Sequence, residues 1–160
     1  MTKHQTIKHS TDRVVATPFR PHGSVQMWME GAFLLYESTG PFNVELVDSL
    51  AVAQMDILRT TNYQGPWVSI CTVLNSAMAS PETLARYEKL MRKPKPPGKT
   101  PVATAFVLSP TVEGANLMVP TFTKIYDSIP RPFKCFAHME DAKAWAHEQM
   151  AQARARGRQD

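Results

Sequence analysis

The side chains with chemistry to offer are few and scattered. Cys71 and Cys135 are the two thiols of the chain, and no Cys-x-x-Cys spacing joins them. A disulfide between them would need side-by-side strands and an oxidising compartment, so both read as reduced, buried thiols. Lys134 stands next to Cys135 and His138 three residues beyond it. On a strand Lys134 points to the opposite face, where it does little to lower the thiol's pKa. His4, His9, His22, His138 and His147 form no His-x-x-x-His pair, and no metal site is expected. The glycines stand singly, with neither Gly-x-Gly-x-x-Gly nor a Walker-type loop to cradle phosphate. No Gly-x-Ser-x-Gly elbow presents a nucleophilic serine. Asp48 and Asp56 fall on a helical stretch and read as solvated. No constellation favours an enzyme, and no catalytic residue, metal or cofactor is assigned.

What remains is a turn. Trp67–Val68–Ser69–Ile70–Cys71–Thr72–Val73–Leu74 is a short apolar run rich in β-branched residues, preceded by the breaker Gly65–Pro66. Runs of this kind read as strands buried on both faces. The polar turn Asn75–Ser76–Ala77–Met78–Ala79–Ser80 follows, and Ser80–Pro81–Glu82 then starts a helix with Ser as cap, Pro at the first position and acid in the first turn. The carboxyl end of a central strand is where open α/β sheets usually receive ligands and partners. Asn75, Ser76, Met78 and Ser80 are therefore the candidate partner-contact residues. Methionine also lines adaptable apolar pockets. Met78 and Met118, both placed after strand ends, and Phe122 are candidates for the lining of an apolar cleft between sheet and helices.

The elements that position these residues alternate along the chain. Residues 1–12 are polar and aperiodic and read as a flexible lead. Val14–Val15–Ala16 has the makings of a short edge strand. Ser24–Glu30 and Ala32–Ser38, split at Glu30–Gly31, predict a hairpin or one bent strand. Asn43 can cap a helix carrying Val44, Val47, Leu50, Ala51, Met55 and Leu58 on one stripe. The central strand and its capped helix come next, then the stiff basic loop Arg92–Lys99, read as surface. Val102–Leu108 predicts a second buried strand. Thr111–Ser128 predicts two short helices or one kinked near Pro120. Phe133–Ala137 and a helix from Met139 to about residue 155 close a single domain over 13–155, with 156–160 as a tail. Strands alternating with helices imply parallel pairing and right-handed crossovers. The expected fold is α/β: a mixed, mostly parallel sheet flanked by helices, with an N-terminal β-hairpin.

Size and charge narrow the classes. A chain of 160 residues suits one domain and buries roughly 68–70% of its unfolded surface without staples. The formal charge of +4 gathers in the 92–99 loop and at Arg154, Arg156 and Arg158. Aromatics are not interleaved with these cations, which argues against nucleic acid. No signal-peptide core and no transmembrane run occurs, so a cytoplasmic protein is expected.

The order of elements over roughly residues 24–150 resembles that of the SpoIIAA-like proteins, relatives of STAS domains. The closing piece carries the likeness: Pro132–Phe133–Lys134–Cys135–Phe136, then Met139–Glu140–Asp141–Ala142–Lys143–Ala144–Trp145. This is similar to the family's aromatic-bearing strand, acidic residues and Ala-x-x-Trp at the head of the last helix. The resemblance implies a non-enzymatic regulatory or protein-interaction module, switched by phosphorylation in the turn after the central strand. Ser76 is the matching position, although the family's preceding Asp and following Gly are replaced by Asn75 and Ala77. Another protein is then the expected partner, and the outer strand of the N-terminal hairpin offers an edge for a homodimer. The alternative is a binder of a small apolar or amphipathic ligand in the cleft between sheet and helices.

Overall fold

The computed structural model describes residues 6–159. Five of the six strands follow the expected order: β2 Ser24–Glu30, β3 Phe33–Thr39, β4 Val68–Leu74, β5 Ala103–Val107 and β6 Phe133–Phe136. Strand β1, His9–Ser10, precedes them. The helices are α1 Val44–Thr60, α2 Pro81–Arg92, α3 Ala115–Asp127 and α4 Met139–Gly157. The strands lie in one sheet in their order along the chain. β1–β2 and β2–β3 pair antiparallel, while β3–β4, β4–β5 and β5–β6 pair parallel.

That order decides where the helices go. Each parallel step from β3 to β6 moves in the same direction across the sheet. Right-handed crossovers then put every connecting helix on the same side. Accordingly, α1 packs on β2 and β3 through Leu46, Ala53, Ile57 and Leu58, and α2 and α3 pack over Val73, Phe106 and Leu108. Only α4, which follows the last strand, returns across the opposite face, where Ala142, Ala146 and Met150 meet Val68, Ile70, Ala103, Ala105 and Val107.

The caps hold as the sequence predicts. Asn43 Oδ1 accepts from the Leu46 N–H at 3.0 Å, and Ser80 Oγ accepts from the Thr83 N–H at 3.2 Å. The split at Glu30–Gly31 is a hairpin, with Glu30 opposite Phe33 and Gly31 at φ +57°. The 111–128 region resolves to one helix that starts at Ala115, with Pro120 inside it. Gly114 precedes this helix at φ +74°, and a Cβ there would collide with the Met78 thioether.

The N-terminal reading needs three corrections. Residues 1–5 of the expected flexible lead lie outside the described residues, but 9–12 fold onto the domain. His9 pairs with Met27 and Ser10 with Gln26. Thr11 is buried, and its Oγ1 accepts from the Val25 N–H at 2.9 Å. The edge strand is therefore His9–Ser10 and not Val14–Ala16. It covers part of the β2 edge that was expected to be free for a homodimer. The 92–99 loop is at the surface, as its composition predicts, with six of its eight residues exposed, but it is anchored to the domain. Trp67 Nε1 donates to the Gly98 carbonyl at 2.9 Å, the Lys99 ammonium donates to the Leu58 carbonyl, and Lys95 is half-buried.

A cavity between the sheet and three helices

Side chains alternate across a strand, so the register of the sheet defines rows on each face. On the face covered by α1, α2 and α3 one row reads Met27, Tyr36, Cys71, Phe106, Cys135. The neighbouring row towards the amino ends of the parallel strands contains Leu34, Ser69, Thr104 and Phe133. Ser38 and Val73 stand in the row beyond Tyr36 and Cys71. Small polar residues thus occupy the middle of a face that three helices bridge. Between them lies a cavity of about 100 Å³.

Its floor is Tyr36, Ser38, Ser69, Cys71, Val73, Thr104 and Phe106 from the sheet. Leu46, Val47, Leu50 and Gln54 of α1 form one wall. Leu84, Tyr87 and Met91 of α2 and Phe122 and Tyr126 of α3 form the other. Lys95, Pro101 and Arg131, from the α2–β5 and α3–β6 loops, line the side at the amino ends of β5 and β6. The floor's polar groups satisfy one another: Ser69 Oγ donates to Thr104 Oγ1 at 2.9 Å, and Ser38 Oγ meets Cys71 Sγ at 3.2 Å. The Tyr87 and Tyr126 hydroxyls meet at 2.7 Å.

The aromatic wall is tied together. Phe106 makes edge contacts with Phe122, Tyr126 and Phe133, at ring-centroid distances of 5.1, 5.9 and 5.1 Å. Tyr126 stacks on Phe133 at 4.1 Å with an interplanar angle of 4°. The Arg131 guanidinium lies over the Tyr126 ring at 5.5 Å, and its Nη2 donates to Met91 Sδ at 3.5 Å. Arg131 Nε is buried with no hydrogen-bond partner among the described residues. Arg131 and Lys95 make no ion pair with a carboxylate among the described residues.

Burial dominates the electrostatics of this face. It pushes the phenols of Tyr36, Tyr87 and Tyr126 above their usual range. It pushes the thiols of Cys71 and Cys135 up to about 11, so both stay protonated at neutral pH. The Lys95 ammonium is shifted the other way, down, by its own burial and then by the nearby Arg131 charge. Cys71 and Cys135 stand in the same row with Phe106 between them, on strands two places apart. At about 4.8 Å per strand their separation excludes a disulfide without backbone movement.

The residues singled out by the sequence divide between this cavity and the opposite edge of the sheet. Phe122 lines the cavity. Met78 and Met118 do not: they pack at the carboxyl edge around Gly114, among Ala77, Leu108 and Ala115. The cavity does reach the carboxyl ends of β3 and β4, where Phe42, Val73, Ala79 and Thr83 line it. Asn75 adopts φ +65°, a conformation asparagine tolerates, and its Nδ2 donates to the Gly40 carbonyl at 2.7 Å. Ser76 is 1% exposed, and its Oγ accepts from the Met78 N–H at 3.2 Å. A kinase would reach that hydroxyl only after the turn opened. Ser80 is a helix cap.

Sequence reasoning passed over Arg131, Lys95, Ser69 and Thr104. The signal for the last two was present: polar residues at alternate positions in strands otherwise apolar on both faces. Arg131 and Lys95 carried no such mark, since a cation in a Pro-rich connection reads as solvated. No family model, curated protein or solved structure matches the chain. Among the described residues no group of His, Cys, Asp and Glu gathers to hold a metal, and no helix is long and apolar enough to cross a membrane.

Proposed function

We propose that this domain binds a small, largely apolar molecule between its sheet and helices α1, α2 and α3, and works as a receptor or carrier without chemistry of its own. The observation that supports this is the cavity itself. Its floor is lined by Ser69, Cys71 and Thr104 where bulky aliphatic residues would close it. Domains pack their interiors to the density of organic crystals, and a void in the middle of a sheet face costs stability unless something fills it. Apolar cavities with a few convergent polar groups are the usual small-molecule sites of α/β folds. The experiment is a thermal-unfolding titration with toluene as an apolar probe. Binding raises Tm in the wild-type protein, as any ligand selective for the native state does. The same titration leaves Tm unchanged in Cys71→Leu, whose longer side chain occupies the space. An equal response from both proteins, or none from the wild type, overturns the reading.

The SpoIIAA-like resemblance supports a second reading, a protein-interaction module. Leu74 at the end of β4 is 41% exposed, and Leu117 in the first turn of α3 is 62% exposed. They flank the two segments that Ala77 and Glu113 join by a backbone hydrogen bond of 2.9 Å. Native mass spectrometry of the protein from its own host separates the readings. A retained small molecule favours the receptor, and a retained protein lost on Leu117→Asp favours the module.

A further inference from the structure

The cavity has two cations on one side, and among the described residues no carboxylate pairs with either; the Lys95 ammonium donates only to the Leu90 carbonyl, at 3.4 Å. Arg131 and Lys95 both line it, from separate loops at the amino ends of β5 and β6. Three ion pairs, Arg86–Asp48, Arg92–Glu88 and Lys143–Glu30, occur among the described residues, and neither cation takes part in one. Arg131 touches a thioether through Nη2 and the face of the Tyr126 ring, and its guanidinium also acts on the Tyr126 hydroxyl, but none of these is an anionic partner. Its Nε is buried and unpartnered among the described residues. A guanidinium offers five donors in a planar fork that fits a carboxylate on two bonds. A buried donor left without an acceptor is costly, and such groups in a native structure mark a missing partner. Pro130 and Pro132 flank Arg131, and the Thr104 N–H donates to the Pro132 carbonyl at 3.0 Å, so its backbone is fixed to β5.

Resting on the cavity reading above, we infer that the ligand is an amphipathic monocarboxylate. Its anionic group is held by Arg131 with Lys95 beside it, and its apolar body lies among Cys71, Phe106, Phe122 and Tyr87. The space, about 100 Å³, is smaller than the engineered apolar cavity of about 150 Å³ that holds benzene, so the apolar body is no larger than one small ring or a short branched acyl chain. A single negative charge fits better than a phosphate monoester. The doubly charged group would lose more hydration on entering a site whose other walls are mostly apolar, with only neutral polar groups such as Gln54, Ser69 and Thr104 among them. In the Tyr87–Tyr126 pair one hydroxyl donates to the other, which leaves one O–H to donate to a carboxylate as well.

Three probes of one shape test this: benzoate, benzamide and toluene, titrated by calorimetry near pH 7 against the wild-type protein and Arg131→Met, Arg131→Lys and Lys95→Met. Benzoate is expected to bind the wild type at least about tenfold more tightly than benzamide, the difference one charge-assisted bond makes. Arg131→Met removes that preference while toluene binding persists. Arg131→Lys keeps part of it, and Lys95→Met lowers it less than Arg131→Met. Benzamide or toluene binding as tightly as benzoate to the wild type overturns the anion inference and leaves the cavity reading standing. Failure of all three to bind overturns both. The wild-type comparison decides the matter even if a variant does not fold.

Discussion

On the face that α4 covers, β4 presents Val68 and Ile70, and β5 presents Ala103, Ala105 and Val107. On the other face the same two strands present Ser69, Cys71, Thr104 and Phe106. The residues alternate one by one, yet the two faces are built for different ends. The first is aliphatic and without polar atoms at its centre. Ala103, Ala105, Ala142 and Ala146 are all fully buried, so α4 approaches the sheet closely on small side chains. The second is bridged by three helices standing on long aromatic residues, with hydroxyls and a thiol between them and space left over. A single helix laid on alanines leaves no gap; three helices arched over tyrosines and phenylalanines do. One face is packed without a gap at its centre, and the other leaves a cavity of about 100 Å³.

The strongest way to break this comparison is to damage each face equally. Ile70→Ala, on the α4 side, removes a fully buried side chain from a site with nothing to collapse into it. It is expected to cost about 2–5 kcal/mol in urea unfolding. Enlargement sharpens the contrast. Ala105→Leu forces α4 away from the sheet and should cost about 1–3 kcal/mol. Cys71→Leu, on the cavity side of the neighbouring strand, extends into existing space and should stay within about 1 kcal/mol of the wild type. If both enlargements destabilise alike, the second face is as tightly packed as the first and the comparison fails.

A different kind of effect, spread over two pH units, is read from titration. The groups raised by burial, Tyr36, Cys71, Tyr87, Tyr126 and Cys135, all belong to the α1–α3 side. Cys71 ionises near 9 when unfolded and at about 11 in the fold, because burial disfavours the thiolate. The unfolded chain therefore releases its proton first, and stability falls with rising pH. The contribution is whole below about pH 9 and is lost progressively on the way to about 11, amounting to up to about 3 kcal/mol. Urea midpoints measured across that range should fall less steeply in Cys71→Ala than in the wild type. Parallel slopes would mean that Cys71 meets bulk water and that the cavity face is open.

Much of this was legible in the chain. Asn43 and Ser80 announce the helix starts because their short side chains reach back to free N–H groups, which is local geometry. Glu30–Gly31 announces the hairpin for the same reason. The strands at Val68–Leu74 and Ala103–Val107 show as apolar runs. The candidate site was legible only in part. Phe122 lies in an apolar helical stripe and lines the cavity. Met78 and Met118, which carry the same apolar mark, pack near Gly114 instead. The cavity reaches the carboxyl ends of β3 and β4 at Phe42, Val73 and Ala79, while its two cations lie at the amino ends of β5 and β6. Loop composition misled there: Lys95 and Arg131 look like solvent-facing cations, and only the folded chain turns them inward.

The sequence by itself determined the order of the elements, their caps and the alternation of residues along each strand. These depend on bonds and contacts a few residues apart. Only the tertiary structure decided that β3, β4, β5 and β6 lie in chain order, which sends α1, α2 and α3 to one side and α4 to the other. It alone put Phe106 between Cys71 and Cys135, laid His9–Ser10 along β2, and brought Arg131 and Lys95 to one cavity. Those outcomes join residues far apart in the chain. They follow from the handedness of crossovers and from how three-dimensional shapes fill space, neither of which any local stretch of sequence encodes.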